Sequence, residues 1–257
     1  RPMSDWLLRP VIRPNLKARL FCFPNAGVGA SVFRTWSAGL PRELEVCAIQ
    51  LPGRENRLSE PPPSSLPPAI HGAVEAIGPL LDVPFAFFGH SMGAVIAAEV
   101  ARELETKGGP APKHLFVSAR RPPHTPGFET PLRGLPDAEF IAEINRRYGG
   151  IPPALLAERE LLDLLLPTLR SDIAGLETYL PRERSPLSIP ITAFGGSDDV
   201  MTPRTHLDAW RTSTSAAFRV RVFAGGHFYL EPRRAELLAD VAATLAPLLS
   251  GTTGAAA

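Results

Sequence analysis

A serine lies between two glycines at the point where one apolar run ends and another begins. Gly89–Gly93 reads GHSMG, follows the apolar run Pro84–Phe88 and precedes the alanine-rich run Ala94–Ala101. The pattern Gly-x-Ser-x-Gly at a sharp strand-to-helix turn strains the serine backbone and raises its hydroxyl above the sheet. Larger side chains at either glycine would collide in such a turn. Ser91 is therefore the candidate nucleophile, and a glycine-rich turn with an idle serine is the alternative.

A serine hydroxyl is a weak nucleophile and needs a neighbouring base. Among the six histidines, His227 stands in the short loop Gly225–Phe228, directly after the last predicted strand. A loop in that position can bring an imidazole to the serine, and the chain order Ser, acid, His is the one known for this kind of turn. His90 belongs to the turn itself. The remaining histidines fall on predicted helix, strand or insertion segments: His71, His114, His124 and His206.

Two adjacent aspartates compete for the role of the acid. Asp198 and Asp199 both follow a predicted strand that lies between Ser91 and His227 in the chain. We favour Asp199, which comes three residues after Gly196, and leave Asp198 open. The chosen carboxylate would stay ionised, hold the imidazole tautomer and stabilise the imidazolium.

The tetrahedral intermediate of acyl transfer needs hydrogen-bond donors. One is expected to be the backbone N–H of Met92, the residue after the nucleophile. The second is expected from the loop Phe23–Gly27 after an early strand, with the N–H of Ala26 as our choice. Losing one such donor typically costs ~10²–10³ in rate.

Alternating apolar strands and helical stretches indicate an α/β protein. The strand candidates are near-continuous apolar runs, which is typical of parallel sheets covered on both faces. Together with the serine turn, this predicts an α/β-hydrolase fold, a mostly parallel sheet with helices on both faces. The predicted strands are Ala18–Phe23, Glu45–Leu51, Phe85–Gly89, His114–Ser118, Ile189–Phe194 and Phe218–Phe223. The predicted helices are Leu66–Leu81, Gly93–Glu105, Pro203–Thr212 and Arg233–Leu249.

A long insertion breaks this alternation. We predict one domain over residues 1–257, with a helical lid inserted at residues 122–186. Leu135–Tyr148 is an expected amphipathic helix, and Pro153–Leu180 is an expected leucine-rich helix that Pro167 breaks or kinks. Insertions of this length are commonly functional lids, and helices that only stabilise the fold are the alternative. We expect the lid to move to admit the acyl arm, because its apolar content exceeds what its own helices can bury.

The composition excludes several classes of partner. Lys plus Arg number 27 against 26 for Asp plus Glu, so no global charge favours nucleic acid or a membrane surface. Cys22 and Cys47 lie in apolar runs and are expected to be buried free thiols. The sequence has neither a membrane-length apolar stretch nor a signal-peptide pattern. We expect a cytoplasmic monomer.

Several motifs in one order resemble the type II thioesterases that accompany polyketide and non-ribosomal peptide synthases. The motifs are Phe21–Gly27, Leu51–Arg57, Phe88–Gly93, Leu166–Asp172 and Gly225–Phe228. The resemblance spans almost the whole chain and implies hydrolysis of acyl groups from the phosphopantetheine arm of acyl or peptidyl carrier proteins, an editing role. It also implies that the lid covers an acyl pocket, and it supports Asp199 as the acid.

No metal or resident cofactor is expected, since phosphopantetheine arrives with the substrate. An acyltransferase, a carboxylesterase and a non-catalytic carrier-docking module are the alternatives. Arg54 and Arg57 are candidates for contact with the carrier or its phosphate, and a solvated loop is the other interpretation. Arg120 and Arg121, at the start of the insertion, leave the same two interpretations open.

Overall fold

Seven strands of the described residues form one sheet. The computed structural model describes residues 5–127, 129–151, 158–181 and 185–250. The strands are β1 (Leu7–Leu8), β2 (Ala18–Phe23), β3 (Leu44–Ile49), β4 (Phe85–His90), β5 (Leu115–Ser118), β6 (Ile191–Gly196) and β7 (Phe218–Phe223). The α-helices are α1 (Leu66–Ile77), α2 (Met92–Thr106), α3 (Asp137–Tyr148), α4 (Arg159–Thr178), α5 (Arg204–Asp208) and α6 (Arg234–Ser250).

The strand order places β4 near the middle of the sheet. The order is β1-β3-β2-β4-β5-β6-β7, and only the β1–β3 pair is antiparallel. The carboxyl ends of β2, β4, β5, β6 and β7 therefore meet at one edge, where parallel sheets bind their ligands. The loops after these strands carry the predicted site residues.

Strand β4 shows why both faces of the sheet are covered. Phe87 packs in a hydrophobic cluster that includes residues of α1 and α2. Its neighbour Phe88 packs in a second cluster that includes residues of α6. Successive strand side chains point to opposite faces, so a continuous apolar run requires burial on both sides. Burial of one such phenylalanine side chain stabilises the fold by about 1.5–3 kcal/mol.

The predicted fold class is confirmed, with differences at the strand ends. All six predicted strands are present, and the strand predicted at Ile189–Phe194 is found at Ile191–Gly196. The sequence does not predict β1, because two residues that pair with Ile49 and Ala48 carry no periodic pattern. Cys22 and Cys47 are buried free cysteines, as expected. None of the helices in the described part of the chain is long and apolar enough to span a membrane.

Helices α3 and α4 lie in the predicted lid, between β5 and β6. They pack together in a small cluster that includes Phe140, Ile144, Leu166 and Ile173. The sequence predicts that Pro167 breaks or kinks this helix. The predicted break is wrong, because α4 continues through Pro167. Buried hydrogen bonds of Thr168 and Asp172 to loops of the sheet domain hold the helix beyond the proline. Residues 153–157, the start of the predicted second helix, lie outside the described residues.

The turn between β4 and α2 is crowded by backbone atoms. A Cβ atom at Gly89 would collide with the carbonyl of Gly93, and one at Gly93 would collide with the carbonyl of Phe23. These obstacles are backbone and cannot rotate away. The predicted requirement for glycine at both positions therefore has a direct steric cause, and the end of β2 lies directly against the start of α2.

Gly93→Ala tests this crowding through the free energy of unfolding in urea. Alanine at an ordinary helix position is more stable than glycine by about 1 kcal/mol. Here we expect the opposite sign, a loss of about 1–3 kcal/mol from overpacking. Gly78→Ala is the matched control, since nothing lies within 4 Å of its Cβ position. A Gly93→Ala variant as stable as the wild type would contradict the described turn.

Candidate active site

Ser91 occupies the turn between β4 and α2 in a strained conformation. Its φ is +53° and its ψ is −116°, a region that residues other than glycine rarely adopt. Two backbone hydrogen bonds hold the turn: the Ser91 N–H donates to the carbonyl of Ser118 at 2.8 Å, and the Ala94 N–H donates to the carbonyl of Ser91 at 3.0 Å. The strain fixes the hydroxyl at the carboxyl edge of the sheet.

His227 and Asp199 form a buried pair beside this turn. His227 Nδ1 lies 2.7 Å from Asp199 Oδ2, and the Met201 N–H donates to Asp199 Oδ1 at 3.0 Å. Because Nδ1 is engaged by the carboxylate, Nε2 is the ring nitrogen left for proton transfer, and Ser91 and His227 line the same cavity. Asp198 is exposed and accepts a hydrogen bond from the Ser197 hydroxyl instead. The structure thus places Asp199, and not Asp198, beside the imidazole.

Backbone contacts bind the acid loop to the histidine loop. The Ser197 N–H donates to the carbonyl of Phe223 at 2.8 Å, and the Asp198 N–H donates to the carbonyl of Gly225 at 2.9 Å. A side chain at Gly196 would collide with the carbonyls of Gly225 and the next residue. The relative position of the carboxylate and the imidazole is therefore set by the ends of β6 and β7.

The two predicted oxyanion donors lie on adjoining segments. The loop after β2 passes over the start of α2, since a Cβ at Gly93 would also lie 2.7 Å from the carbonyl of Pro24. Neither the Met92 N–H nor the Ala26 N–H donates a hydrogen bond to any of the described residues. Both amides are thus available to a substrate oxygen, and Ala26 lines the cavity at Ser91.

Behind His227 lies a buried polar chain that the sequence did not reveal. His90 Nδ1 lies 2.9 Å from Ser118 Oγ, which in turn lies 2.6 Å from Tyr229 Oη. Burial, followed by repulsion from His227, lowers the pKa of His90 well below its usual value. His90 is therefore neutral at pH 7 and adds no competing charge next to the imidazole that must accept a proton.

Arg54 and Arg57, the predicted contacts to the carrier or its phosphate, are both buried in the structure. Arg54 is 3% exposed and forms a bidentate pair with Asp172. Arg57 is 6% exposed, donates to Glu60 and lies over the ring of Trp6 at 4.5 Å. Both guanidinium groups have partners within the protein, so they are not free side chains of a solvated loop. Their contact with a carrier or phosphate stays a prediction.

An apolar cavity of about 170 Å³ opens at Ser91 and His227. Helices α3 and α4 provide a large part of its wall, mainly through aliphatic side chains. The lining residues from these two helices are Ile141, Ile144, Tyr148, Leu162, Leu165, Leu166, Leu169, Ile173 and Leu176. The arrangement suits an acyl chain held by its apolar surface, with its carbonyl at the serine.

Arg120 and Arg121, for which the sequence allows two interpretations, lie near this cavity. Arg120 lines it beside Tyr148, and burial is the main cause of the lowered pKa of Arg120. Arg121 pairs instead with Glu129 at 2.7 Å. Tyr148 also packs against His227, with ring centroids 4.8 Å apart. No sequence motif marked Tyr148 as part of the site.

The chain is similar in sequence and in structure to known proteins. Gramicidin S biosynthesis protein GrsT of Aneurinibacillus migulanus is 42% identical over 236 residues, which cover 92% of this chain and 92% of that protein. The RedJ thioesterase of the prodiginine biosynthetic pathway in Streptomyces coelicolor is 37% identical, with a TM-score of 0.83, and the match covers 95% of this chain and 99% of that one. YbtT, a type II thioesterase of the yersiniabactin NRPS/PKS pathway, is 29% identical with a TM-score of 0.85, over 95% and 99% of the two chains.

The family assignment rests on nearly the full length of the chain. The model of the thioesterase domain family matches residues 18–245, from β2 to the last helix. The solved relatives share its fold, so the predicted enzyme class, a thioester hydrolase, is also confirmed. The chain belongs to the thioesterase family, and its predicted likeness to the type II thioesterases of NRPS/PKS pathways is confirmed.

Proposed function

We propose that the protein hydrolyses acyl thioesters on the phosphopantetheine arm of acyl or peptidyl carrier proteins. In this role it removes stalled or wrongly primed acyl groups from a polyketide or non-ribosomal peptide synthase. The names of its relatives support the setting, since YbtT is a type II thioesterase of an NRPS/PKS pathway and GrsT is a gramicidin S biosynthesis protein.

The observation that carries the proposal is the apolar cavity that ends at Ser91 and His227. Its aliphatic wall offers an acyl chain a place to bury apolar surface, at roughly 25 cal/mol per Å². The cavity lining is mostly apolar and offers few hydrogen-bonding groups to a bound molecule. This favours a mainly hydrocarbon acyl group over a free sugar or nucleotide.

The geometry supports a two-step acyl transfer. In the first step, His227 Nε2 takes the proton of Ser91 Oγ while that oxygen attacks the thioester carbonyl carbon. The N–H groups of Met92 and Ala26 stabilise the oxyanion. When the intermediate collapses, the carbon–sulfur bond breaks and the imidazolium of His227 returns its proton to the departing thiol.

In the second step, water hydrolyses the acyl-Ser91 ester. His227 removes a proton from the water as the water oxygen attacks the acyl carbon, and the imidazolium then protonates Ser91 Oγ as the acid is released. Asp199 keeps the imidazole tautomer fixed and stabilises its charged form throughout. These groups suffice for the reaction, so we retain the expectation of no resident metal or cofactor.

We propose that residues 122–186 act as a lid on a single hydrolase domain. Helices α3 and α4 supply a large apolar part of the cavity wall, which places this insertion over the acyl-binding space. A monomeric state and a cytoplasmic location stay predictions. An acyltransferase or a carboxylesterase could use the same serine, and a carrier-docking module would leave it unused.

Substrate preference distinguishes these possibilities. We expect a higher kcat/KM for acyl groups on a carrier protein than for the matched simple esters, with the free acid as product. Ser91→Ala should abolish both activities, since the rate depends on the covalent intermediate. Mass spectrometry and thiol release measure the reaction. Faster turnover of the esters, or transfer of the acyl group to a thiol in place of water, would contradict the proposal.

The two aspartates form a matched pair of variants. Asp199→Asn should lower kcat by ~10⁴, because the amide favours the wrong imidazole tautomer. Asp198→Asn should leave kcat near that of the wild type, since the Asp198 side chain is exposed and accepts its hydrogen bond from the Ser197 hydroxyl, not from His227. Steady-state kinetics on the same thioester give both values. Retained activity in Asp199→Asn with loss in Asp198→Asn would reverse the assignment.

A further inference from the structure

Helix α4 has two faces with different contacts. Leu165, Leu169 and Ile173 line the acyl cavity. On another face, the Thr168 hydroxyl donates to the carbonyl of Gly53 at 2.5 Å. Asp172, one turn further on, also contacts loops of the sheet domain. Residues four apart lie on the same side of a helix, so one side of α4 faces the substrate and another is docked on the core.

The carboxylate of Asp172 is the centre of the docked face. Its Oδ2 accepts hydrogen bonds from Arg54 Nη1 at 2.7 Å and from the Gly27 N–H at 2.8 Å. Its Oδ1 accepts a third from Arg54 Nη2 at 3.0 Å. The Arg54 and Asp172 side chains are 3% and 4% exposed. A buried bidentate pair of this kind is short, directional and little weakened by water.

Through Gly27, this ion pair reaches the predicted oxyanion donor. Gly27 directly follows Ala26 and adopts a φ of +78°. Its N–H bond to Asp172 fixes one peptide plane attached to the Ala26 Cα, and the adjoining plane carries the Ala26 N–H. Arg54 also donates to the carbonyl of Val28 at 3.3 Å. The loop is therefore held immediately after the donor.

The loop and Arg54 are further connected through Gln50. The Gln50 amide oxygen accepts a hydrogen bond from the Ala30 N–H at 2.6 Å, and its nitrogen donates to the carbonyl of Arg54 at 2.9 Å. The loop that carries Ala26 is thus tied at several points to the segment that holds Arg54. From the lid, Asp172 joins this network by its hydrogen bond to the Gly27 N–H.

We propose that Arg54 and Asp172 are positioning residues that orient the Ala26 N–H toward the oxyanion. The lid helix thereby contributes to transition-state stabilisation as well as to the cavity wall. This inference rests on the proposed acyl transfer at Ser91. It also implies that the part of α4 from Thr168 to Asp172 stays docked when the lid opens.

If the Arg54–Asp172 pair only stabilised the fold, a folded variant without the pair would keep its activity. A positioning role predicts a loss of activity in the same folded variant. Replacing a buried ion pair by apolar residues of similar size is often neutral for stability, whereas removing one partner leaves a buried charge alone. The double variant Arg54→Met/Asp172→Leu therefore removes the hydrogen bond to Gly27 without leaving an unpaired charge. Ser171→Ala is the matched control, because Ser171 anchors the same helix to the carbonyl of Pro63 at 2.8 Å, away from the oxyanion loop.

Kinetics with hexanoyl-pantetheine and inhibition by hexylboronic acid provide the readouts, with thermal unfolding as the check on folding. We expect the folded double variant to lose ~10² in kcat, the size of effect that a misplaced group causes, with a smaller change in KM. Its affinity for the boronic acid, whose adduct with Ser91 is tetrahedral, should fall in parallel. Ser171→Ala should keep the wild-type kcat and boronate affinity.

A second variant keeps the inference testable if the double variant fails to fold. Asp172→Asn preserves the shape of the side chain but cannot accept all three hydrogen bonds. We expect faster hydrogen exchange at the Gly27 amide and weaker boronate binding in this variant. Wild-type boronate affinity in either folded variant, or an equal loss of kcat in Ser171→Ala, would overturn the inference.

The boronate readout does not depend on the natural substrate. A wild-type enzyme that binds the boronic acid at Ser91 but releases no acid from carrier thioesters would contradict the proposed function. The positioning roles of Arg54 and Asp172 would still be decided by the boronate affinities of the variants.

Discussion

The crowding of backbone atoms around the turn after β4 is the constraint on which the site depends. A Cβ atom at Gly89 or Gly93 would meet main-chain carbonyls, so the strand, the helix and the loop after β2 approach as closely as backbones can. This closeness holds Ser91 in its strained conformation. It also brings the loop of Ala26 to the first turn of α2. Ser91 and the two proposed oxyanion donors are thus positioned by a single packing arrangement.

The other parts of the site are attached to this turn through the edge of the sheet. Parallel strands end together, so the loops after β6 and β7 bring Asp199 and His227 beside the strand that carries the serine. The insertion that carries α3 and α4 then completes the cavity at Ser91. Helix α4 provides the apolar wall of the cavity, and its Asp172 contacts the N–H of Gly27 in the same loop that offers the oxyanion donor.

Local sequence was sufficient for the parts of the site that depend on local geometry. Gly89–Gly93 specifies its own turn, and continuous apolar runs specify buried parallel strands, so the fold class and Ser91 could be predicted. The burial of Arg54 could not be predicted in this way, because its partner Asp172 lies 118 residues away in the chain. Charged residues in a loop are usually solvated, and no local pattern shows the exception.

The same limit explains the other differences from prediction. Two residues are too few to show the periodicity of a strand, so β1 was missed. Pro167 usually ends a helix, yet α4 continues through it because the following turns are docked on the core by Thr168 and its neighbours. Tyr148 packs on His227 only because the lid folds back over the sheet. Each feature depends on contacts between distant segments, which composition and spacing do not encode.

The most direct test of the account is to trap the covalent intermediate. The enzyme is mixed with an acyl carrier protein loaded with a hydrocarbon acyl group, the reaction is quenched within milliseconds in acid, and the peptide containing Ser91 is weighed by mass spectrometry. We predict a transient mass increase equal to the acyl group on Ser91, accumulating before the free acid. Release of the acid with no acylated Ser91 at any time, or acylation of another residue, would contradict the account.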